Sequence, residues 1–258
     1  TAEIGMYLPN LNAYASHGFA VIFPYIKSPE ADKKKFPPTT NTNGEFILNG
    51  IEMAKEQNQN DTSPLYQKID LESVVVSGHS MGATCAITAG SKLAGNGSAS
   101  NIKLVVAQHP GICGPFGPPP WPSTWMPNDL SKTAREFPVL FTTATNDGAF
   151  WPKPMTAEHE YGCFDKATAA LENQSNVSVS ATFVEFGSSV CMNDGGRNPF
   201  DDSGHNCPFK TGVETPWVLT FMKYHAMHEG NASTQCFQMI KELRSGFGVK
   251  KTLSRGHQ

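Results

Sequence analysis

The sequence predicts an α/β fold, in which a mainly parallel β-sheet carries helices on both faces. Short apolar runs recur along the chain, and segments with helical periodicity separate most of them. Strands that alternate with helices are typical of βα units, which build parallel sheets. A single domain over residues 1–258 is expected, because this length suits one α/β domain and no repeat or linker divides the chain.

Five apolar runs are predicted to be strands, because each is short and is bounded by turn residues. The first, at 18–24, lies between Gly18 and Pro24 and is expected to be a buried parallel strand. The other four lie at 74–78, 104–108, 139–144 and 179–186.

Helices are predicted where apolar residues recur at helical spacing between these runs. The first is expected at 3–16, where Pro9 could interrupt it. The others are expected at 44–57, 80–94, 155–172 and 214–228. Two long loops, 110–127 and 187–211, follow strands, so both are expected at the carboxyl edge of the sheet, where α/β proteins bind ligands.

The charge and hydropathy of the chain argue against several classes of partner. A net charge of −3 gives no reason to expect nucleic acid or an anionic membrane as a partner. No apolar run reaches the roughly 18 residues that a spanning helix needs, so stable membrane insertion is not expected. No feature predicts a partner chain, and we expect a monomer.

Six cysteines and five N-x-S/T sequons together predict a secreted protein. None of the cysteines forms a C-x-x-C pair, so a structural zinc site is not expected. An even count of cysteines is typical of disulfides, and a cytosolic enzyme with six reduced thiols is the alternative. The sequons begin at Asn60, Asn96, Asn173, Asn176 and Asn231.

The pentapeptide Gly-His-Ser-Met-Gly at 78–82 fits the pattern G-x-S-x-G. An apolar strand precedes it and a helix rich in small residues follows it, which is the context of a nucleophile elbow. The two glycines would relieve crowding around a strained serine and let the helix pack close to the strand. The sequence therefore predicts an α/β-hydrolase fold with Ser80 as nucleophile. An ordinary βα turn with a surface serine is the alternative.

A serine nucleophile needs a base that takes its proton, and this fold supplies its partners in the order serine, acid, histidine. Asp147 comes directly after the run 139–144 and is expected to be the acid, with a simple Asp-Gly turn as the alternative. His205 lies in the loop after the last predicted strand and is expected to be the base, although another histidine stays open. His109 follows too early a strand for that role.

Several motifs resemble, in the same order, those of the cutinase-like polyester hydrolases, including the PET-hydrolase group and related dienelactone-hydrolase-like lipases. They are Ala-Ser-His-Gly-Phe-Ala-Val-Ile at 15–22, the pentapeptide at 78–82, Thr-Asn-Asp at 145–147 and Gly-His-Asn-Cys at 204–207. The segments 216–224 and 231–237 resemble the last helix and the closing segment of that family. The resemblance covers most of the chain from residue 13 onward.

The resemblance implies a lidless esterase with an open cleft, in which the backbone N–H of Met81 is one donor of the oxyanion hole. It implies that segment 110–125 and the pair Phe150–Trp151 form the walls of the acyl cleft. The side chains expected to bind substrate are His79, Pro110, Trp121, Phe150 and Trp151.

The family carries a strand and a tight turn before the helix that opens this chain, and that turn supplies the second oxyanion donor. We therefore expect a truncated form that lacks its first strands. Loss of one such donor costs on the order of 10²–10³ in rate. In some relatives a cysteine at position 207 pairs with one beside the acid. Cys191 is the substitute expected here, whereas Cys85 is expected to be a buried free thiol and the other three stay unassigned.

The predicted activity is hydrolysis of a carboxylic ester through an acyl-enzyme on Ser80, with a small or polymeric ester as substrate. The chemistry calls for no cofactor and no metal ion. An acyltransferase, thioesterase or peptidase with the same triad is one alternative. A non-catalytic binding protein or inactive fragment on a hydrolase fold is the other.

Overall fold

A five-stranded sheet lies at the centre of this computed structural model. The structure describes residues 4–24, 40–94, 101–110, 127–144, 157–169, 171, 181–186, 212, 214–227 and 249–255. The strands are β1 (Val74–His79), β2 (Ile102–Gln108), β3 (Val139–Ala144), β4 (Ala181–Phe186) and β5 (Val249–Arg255). They lie side by side in chain order. Strands β1 to β4 are parallel and β5 pairs antiparallel with β4, so the α/β class and four of the five predicted strands are confirmed.

Helices cover both faces of this sheet. Six are described, and a 3₁₀ turn at Ile4–Met6 precedes the first of them. They are α1 (Leu8–Ser16), α2 (Thr40–Gln59), α3 (Met81–Leu93), α4 (Pro127–Glu136), α5 (Ala157–Thr168) and α6 (Thr215–Ala226). Pro9 does not break the first helix but lies in its first turn, where a missing N–H costs nothing.

The side chains of β2 show how the two faces are divided. Successive side chains of a strand point to opposite faces. Val105 and Ala107 pack in a core with residues of α2, α3, α4 and α5. Leu104 and Val106 pack in a second core with residues of α1 and α6. The apolar run of β2 is therefore continuous because both of its faces are covered.

The strand predicted at 18–24 is wrong. Gly18 has a φ of +92° in the turn that ends α1, and residues 19–24 form neither helix nor strand. The side chains of Val21 and Phe23 are 37% and 39% exposed, although a buried strand was expected. The apolar run is therefore not paired with any described strand. The composition of a short apolar run does not by itself distinguish a buried strand from an irregular segment.

Two elements were not predicted from the sequence, α4 and β5. In α4 the buried side chains are Leu130, Thr133 and Ala134, which is too narrow a stripe to stand out among charged neighbours. Strand β5 has the sequence Val-Lys-Lys-Thr-Leu-Ser-Arg, which lacks an apolar run. Lysines are common on edge strands, where they hinder pairing with another chain.

Candidate active site

The serine of the pentapeptide lies on a sharp turn between β1 and α3. Ser80 directly follows the last residue of β1 and directly precedes the first residue of α3. Its backbone has φ 56° and ψ −124°, a conformation that residues other than glycine rarely adopt. Strained backbone of this kind persists only where the surroundings hold it, and it is concentrated at functional sites.

The two glycines of the pentapeptide have different surroundings. A Cβ atom on Gly78 would overlap the carbonyl group of Gly82 and lie 2.7 Å from the backbone nitrogen of Ala83. A Cβ atom on Gly82 would meet none of the described atoms within 4 Å. The expected relief of crowding is therefore confirmed for Gly78, whereas Gly82 has no close described neighbour outside its own helix turn. Only Gly78 lets α3 start so close to β1.

Hydrogen bonds fix the backbone of the serine on both sides. The Ser80 N–H donates to the carbonyl of Gln108, the last residue of β2, at 2.9 Å. The Ser80 carbonyl accepts from the N–H groups of Ala83 and Thr84, at 3.0 and 3.2 Å, which starts α3. The Thr84 hydroxyl in turn donates to the carbonyl of Pro110 at 3.0 Å. The elbow after β1 and the turn after β2 are thus bound to each other.

The turn after β2 is strained in the same way as the elbow. Among the described residues other than glycine, only Gln67, Ser80 and His109 have a positive φ. His109 has a φ of 50° and is fully buried, and its N–H donates to the carbonyl of Thr142 on β3 at 2.8 Å. Since His79 pairs in register with Gln108, Ser80 and His109 begin neighbouring turns at the carboxyl edge.

A buried carboxylate lies against this second turn. Glu214, which immediately precedes α6, is 1% exposed. Its Oε2 accepts hydrogen bonds from the Gln108 side-chain amide at 2.9 Å and from the Thr142 hydroxyl at 3.1 Å. Its Oε1 is hydrogen-bonded to Nε2 of His109. Burial raises the pKa of Tyr14 on α1, and the nearby negative charge of Glu214 raises this pKa further.

His79, which precedes Ser80, is buried between two aromatic rings. The Tyr7 hydroxyl lies 3.3 Å from His79 Nδ1, within hydrogen-bond distance. The His79 and His109 rings meet edge-on with centroids 5.7 Å apart. Tyr7 is half-buried, and burial raises its pKa. Pro110, the other described residue expected to bind substrate, is buried as well.

The remaining predicted site residues lie outside the described part of the chain. This holds for the acid Asp147, the base His205 and the expected disulfide of Cys191 and Cys207. It also holds for the side chain of Met81, although its backbone begins α3. The expected substrate-binding residues outside the described part are Trp121, Phe150 and Trp151. The structure thus brings Ser80, His79 and Pro110 to one edge of the sheet and leaves the triad a prediction.

Cys85 lies on α3, five residues after Ser80. It is a free cysteine, as expected, but it is half-buried and not fully buried. Burial raises the pKa of the Cys85 thiol from 9.0 to about 11. A thiol with such a pKa is a poor nucleophile at neutral pH.

Sequence reasoning missed Glu214 and gave His109 no role. A signal for Glu214 was present, because an acidic residue followed by Thr215 and Pro216 is typical of the start of a helix. Nothing in the sequence indicated that its carboxylate faces the end of β2, because the contact between Glu214 and Gln108 joins residues 106 positions apart.

The described residues contain neither a metal centre nor a membrane-spanning helix. No group of three or more His, Cys, Asp or Glu side chains there could hold a metal ion. No helix in the described ranges is both long enough and apolar enough to cross a membrane.

Comparisons with known proteins add no family assignment. The chain matches no model of a protein family. It matches no curated protein either.

Proposed function

We propose that this chain is an α/β-hydrolase of the cutinase-like type that hydrolyses a carboxylic ester through an acyl-enzyme on Ser80. The observation that carries the proposal is the backbone of Ser80 itself. It combines a positive φ with a place between a parallel strand and a helix, at the carboxyl edge of the sheet. A strained strand-to-helix turn of this kind exposes the serine hydroxyl of α/β-hydrolases.

Local packing supports the same proposal. The turn is possible because Gly78 has no side chain, and it is held by the hydrogen bond from Ser80 N–H to Gln108. Such strain is a cost that an ordinary βα turn avoids, because a turn residue with negative φ would be relaxed. A catalytic role for Ser80 explains why the chain keeps the strain.

In the proposed reaction, His205 takes the proton of the Ser80 hydroxyl as the Ser80 oxygen attacks the ester carbonyl carbon. The carbonyl oxygen becomes an oxyanion, to which the backbone N–H of Met81 donates. The alcohol leaves with the proton from His205, and the acyl group stays bound to Ser80. Water then attacks that acyl carbon, His205 takes the water proton and returns it to Ser80, and the acid is released. Asp147 orients His205 throughout.

The sequons and the cysteine count lead us to place this enzyme outside the cell. One sequon can be located. Asn60 is exposed in the turn that follows α2, and its side-chain oxygen accepts hydrogen bonds from the N–H and hydroxyl of Thr62. A surface turn of this kind is accessible for modification.

Hydrolysis of p-nitrophenyl esters of increasing acyl length tests the proposed function. The wild-type protein should release p-nitrophenol, and Ser80→Ala should lower kcat by about 10⁶-fold, because the triad acts as a unit. Ser77→Ala, three residues earlier on β1, is the matched control and should keep normal activity. Equal activity of Ser80→Ala and the wild type would refute the proposal. Faster cleavage of peptides than of esters would redirect it to a peptidase.

A further inference from the structure

The turn after β2 has no role in the proposed reaction, yet it has the features of a functional turn. His109 has a positive φ without being glycine, and its ring is fully buried. A left-handed backbone at such a residue must be held by its surroundings. The His109 N–H donates to the carbonyl of Thr142, and the side-chain contact that helps to hold it is the hydrogen bond between its ring and Glu214.

The turn is directly linked to the nucleophile through Gln108. The backbone carbonyl of Gln108 accepts the hydrogen bond of the Ser80 N–H, and the Gln108 side chain donates to Glu214. A shift of Gln108 would therefore move the acceptor that fixes the Ser80 backbone. Pro110, on the other side of His109, is held to α3 by the Thr84 hydroxyl.

Glu214 is placed for this role by the helix that it precedes. Its carbonyl accepts the N–H of Val218 at 3.0 Å, a bond of the first turn of α6. An anion at a helix N-terminus is stabilised by the helix dipole. A buried charge is nevertheless costly unless it is hydrogen-bonded, and here the Gln108 amide, the Thr142 hydroxyl and the His109 ring all bind it.

We propose that Glu214 and His109 are a positioning pair that holds the turn after β2 and, through Gln108, sets the position of Ser80. This inference rests on the proposed function only for its kinetic consequence. Neither residue takes part in bond making or breaking. The pair acts by keeping the Ser80 backbone in the geometry in which its hydroxyl can attack.

The first variant is Glu214→Gln, which keeps the shape of the side chain and removes its charge. Its effect should appear in kcat, because a displacement of about 1 Å can cost on the order of 10²-fold in rate. We expect kcat to fall about 10- to 100-fold on p-nitrophenyl acetate, with KM changed less than about threefold. Glu185→Gln on β4, which also removes a buried carboxylate, is the matched control and should keep kcat.

A rescue variant separates positioning from general stability. Glycine adopts a positive φ without strain. The double variant Glu214→Gln/His109→Gly should therefore have a kcat at least about tenfold higher than that of Glu214→Gln. Its Tm should nevertheless be lower still, because the buried ring is lost. A double variant with the low kcat of the single one would overturn the proposal. Should Glu214→Gln fail to fold, His109→Ala and His109→Gly are compared instead. Both lose the ring contact, but alanine disfavours the positive φ that glycine adopts, so kcat should fall more in His109→Ala, and an equal kcat in the two variants would overturn the proposal.

Amide hydrogen exchange, measured by NMR, gives a readout that does not depend on catalysis. In Glu214→Gln the Ser80 N–H should exchange at least about tenfold faster than in the wild type, because its acceptor Gln108 is less well held. The amides of β4 should keep their rates. If the wild type has no esterase activity but the Ser80 N–H exchanges faster in Glu214→Gln, the positioning pair is supported and the proposed function is refuted. Equal acceleration in β4, or none at Ser80, would overturn the pair whatever the activity.

Discussion

The two ends of the parallel strands differ in chemistry. At their amino ends, β1, β2 and β3 begin with Val74, Ile102 and Val139, and an apolar cavity of about 220 Å³ between α2 and the ends of β1 and β2 is lined mainly by leucine, isoleucine and valine. His79 and Gln108 end β1 and β2, Thr142 of β3 pairs in register with Gln108, and all three are buried. Aliphatic packing is non-directional, whereas buried polar groups need partners in fixed directions.

This difference shows where the molecule fixes a geometry. A chain of contacts at the carboxyl end runs from Tyr7 through His79 and His109 to Glu214. Both strained turns, at Ser80 and His109, lie within this network. If the carboxyl edge is the active site, substitutions there should affect activity, and substitutions elsewhere should affect stability alone.

The largest effect is expected from the two predicted partners of Ser80, which follow β3 and β4 in the sequence. Asp147→Asn and His205→Ala should each lower kcat by about 10⁴-fold or more, because a serine is a weak nucleophile without an oriented base. Steady-state kinetics on p-nitrophenyl esters measure this. Asp165→Asn and His225→Ala, on α5 and α6, are the controls and should keep kcat. Normal activity in His205→Ala would move the base to another histidine.

The pentapeptide glycines offer the next largest difference. Gly78→Ala should cost at least about 3 kcal/mol of unfolding free energy, because the new methyl group overlaps the backbone of α3. Gly82→Ala should instead be neutral or stabilise the protein by up to about 1 kcal/mol, because alanine suits a helix better than glycine. Urea unfolding followed by circular dichroism measures both. Similar stabilities of the two variants would contradict the packing described for β1 and α3.

Two hydroxyl groups near Glu214 should differ in their effect on stability. The Thr142 hydroxyl donates to the carboxylate, so Thr142→Val should cost about 1.5–3 kcal/mol. The Tyr14 hydroxyl is buried and has no hydrogen-bond partner among the described residues, so Tyr14→Phe should change stability by less than about 1 kcal/mol. Urea unfolding measures both effects, and the midpoints can be compared directly if the dependence on urea concentration has the same slope in each variant. A larger loss in Tyr14→Phe than in Thr142→Val would reverse our view of the network.

The smallest effect is a dependence of stability on alkaline pH. Burial raises the Cys85 pKa to about 11 in the folded protein, so the folded state holds the thiol proton more tightly than the unfolded state. The resulting stabilisation is complete below pH 9.0 and is lost as pH rises towards about 11. Cys85→Ala should therefore lose less stability than the wild type over this range. Parallel decline of both proteins would show that Cys85 does not contribute.

The sequence was sufficient for those parts of the fold whose signals are local. Runs such as 104–108 and 139–144 are mainly apolar because both faces are covered, and they were predicted as strands. The elbow was predicted from five residues, since Gly78 and Ser80 are constrained by their immediate neighbours. The run at 18–24 is similarly apolar but has no described partner strand. Its prediction failed because strand pairing depends on distant segments and not on local composition.

What could not be predicted depends on contacts between distant segments. Glu214 meets Gln108 and Thr142 only because α6 packs mainly on β2 and so brings its first turn to this edge of the sheet. A lone glutamate before a helix carries no sign of such partners. His109 was considered only as a base, and its positive φ has no signature in composition. The buried polar network was therefore visible only in three dimensions.

Covalent labelling of Ser80 tests the central claim most directly. The native protein should react with a fluorophosphonate probe and the heat-denatured protein should not, because reaction requires the activated serine. The tryptic peptide 69–92 contains Ser73, Ser77, Ser80 and Ser91, so fragmentation in the mass spectrometer must locate the adduct. We predict a single adduct on Ser80 that is absent from Ser80→Ala. An active esterase that carries the adduct on another residue, or none, would contradict the account.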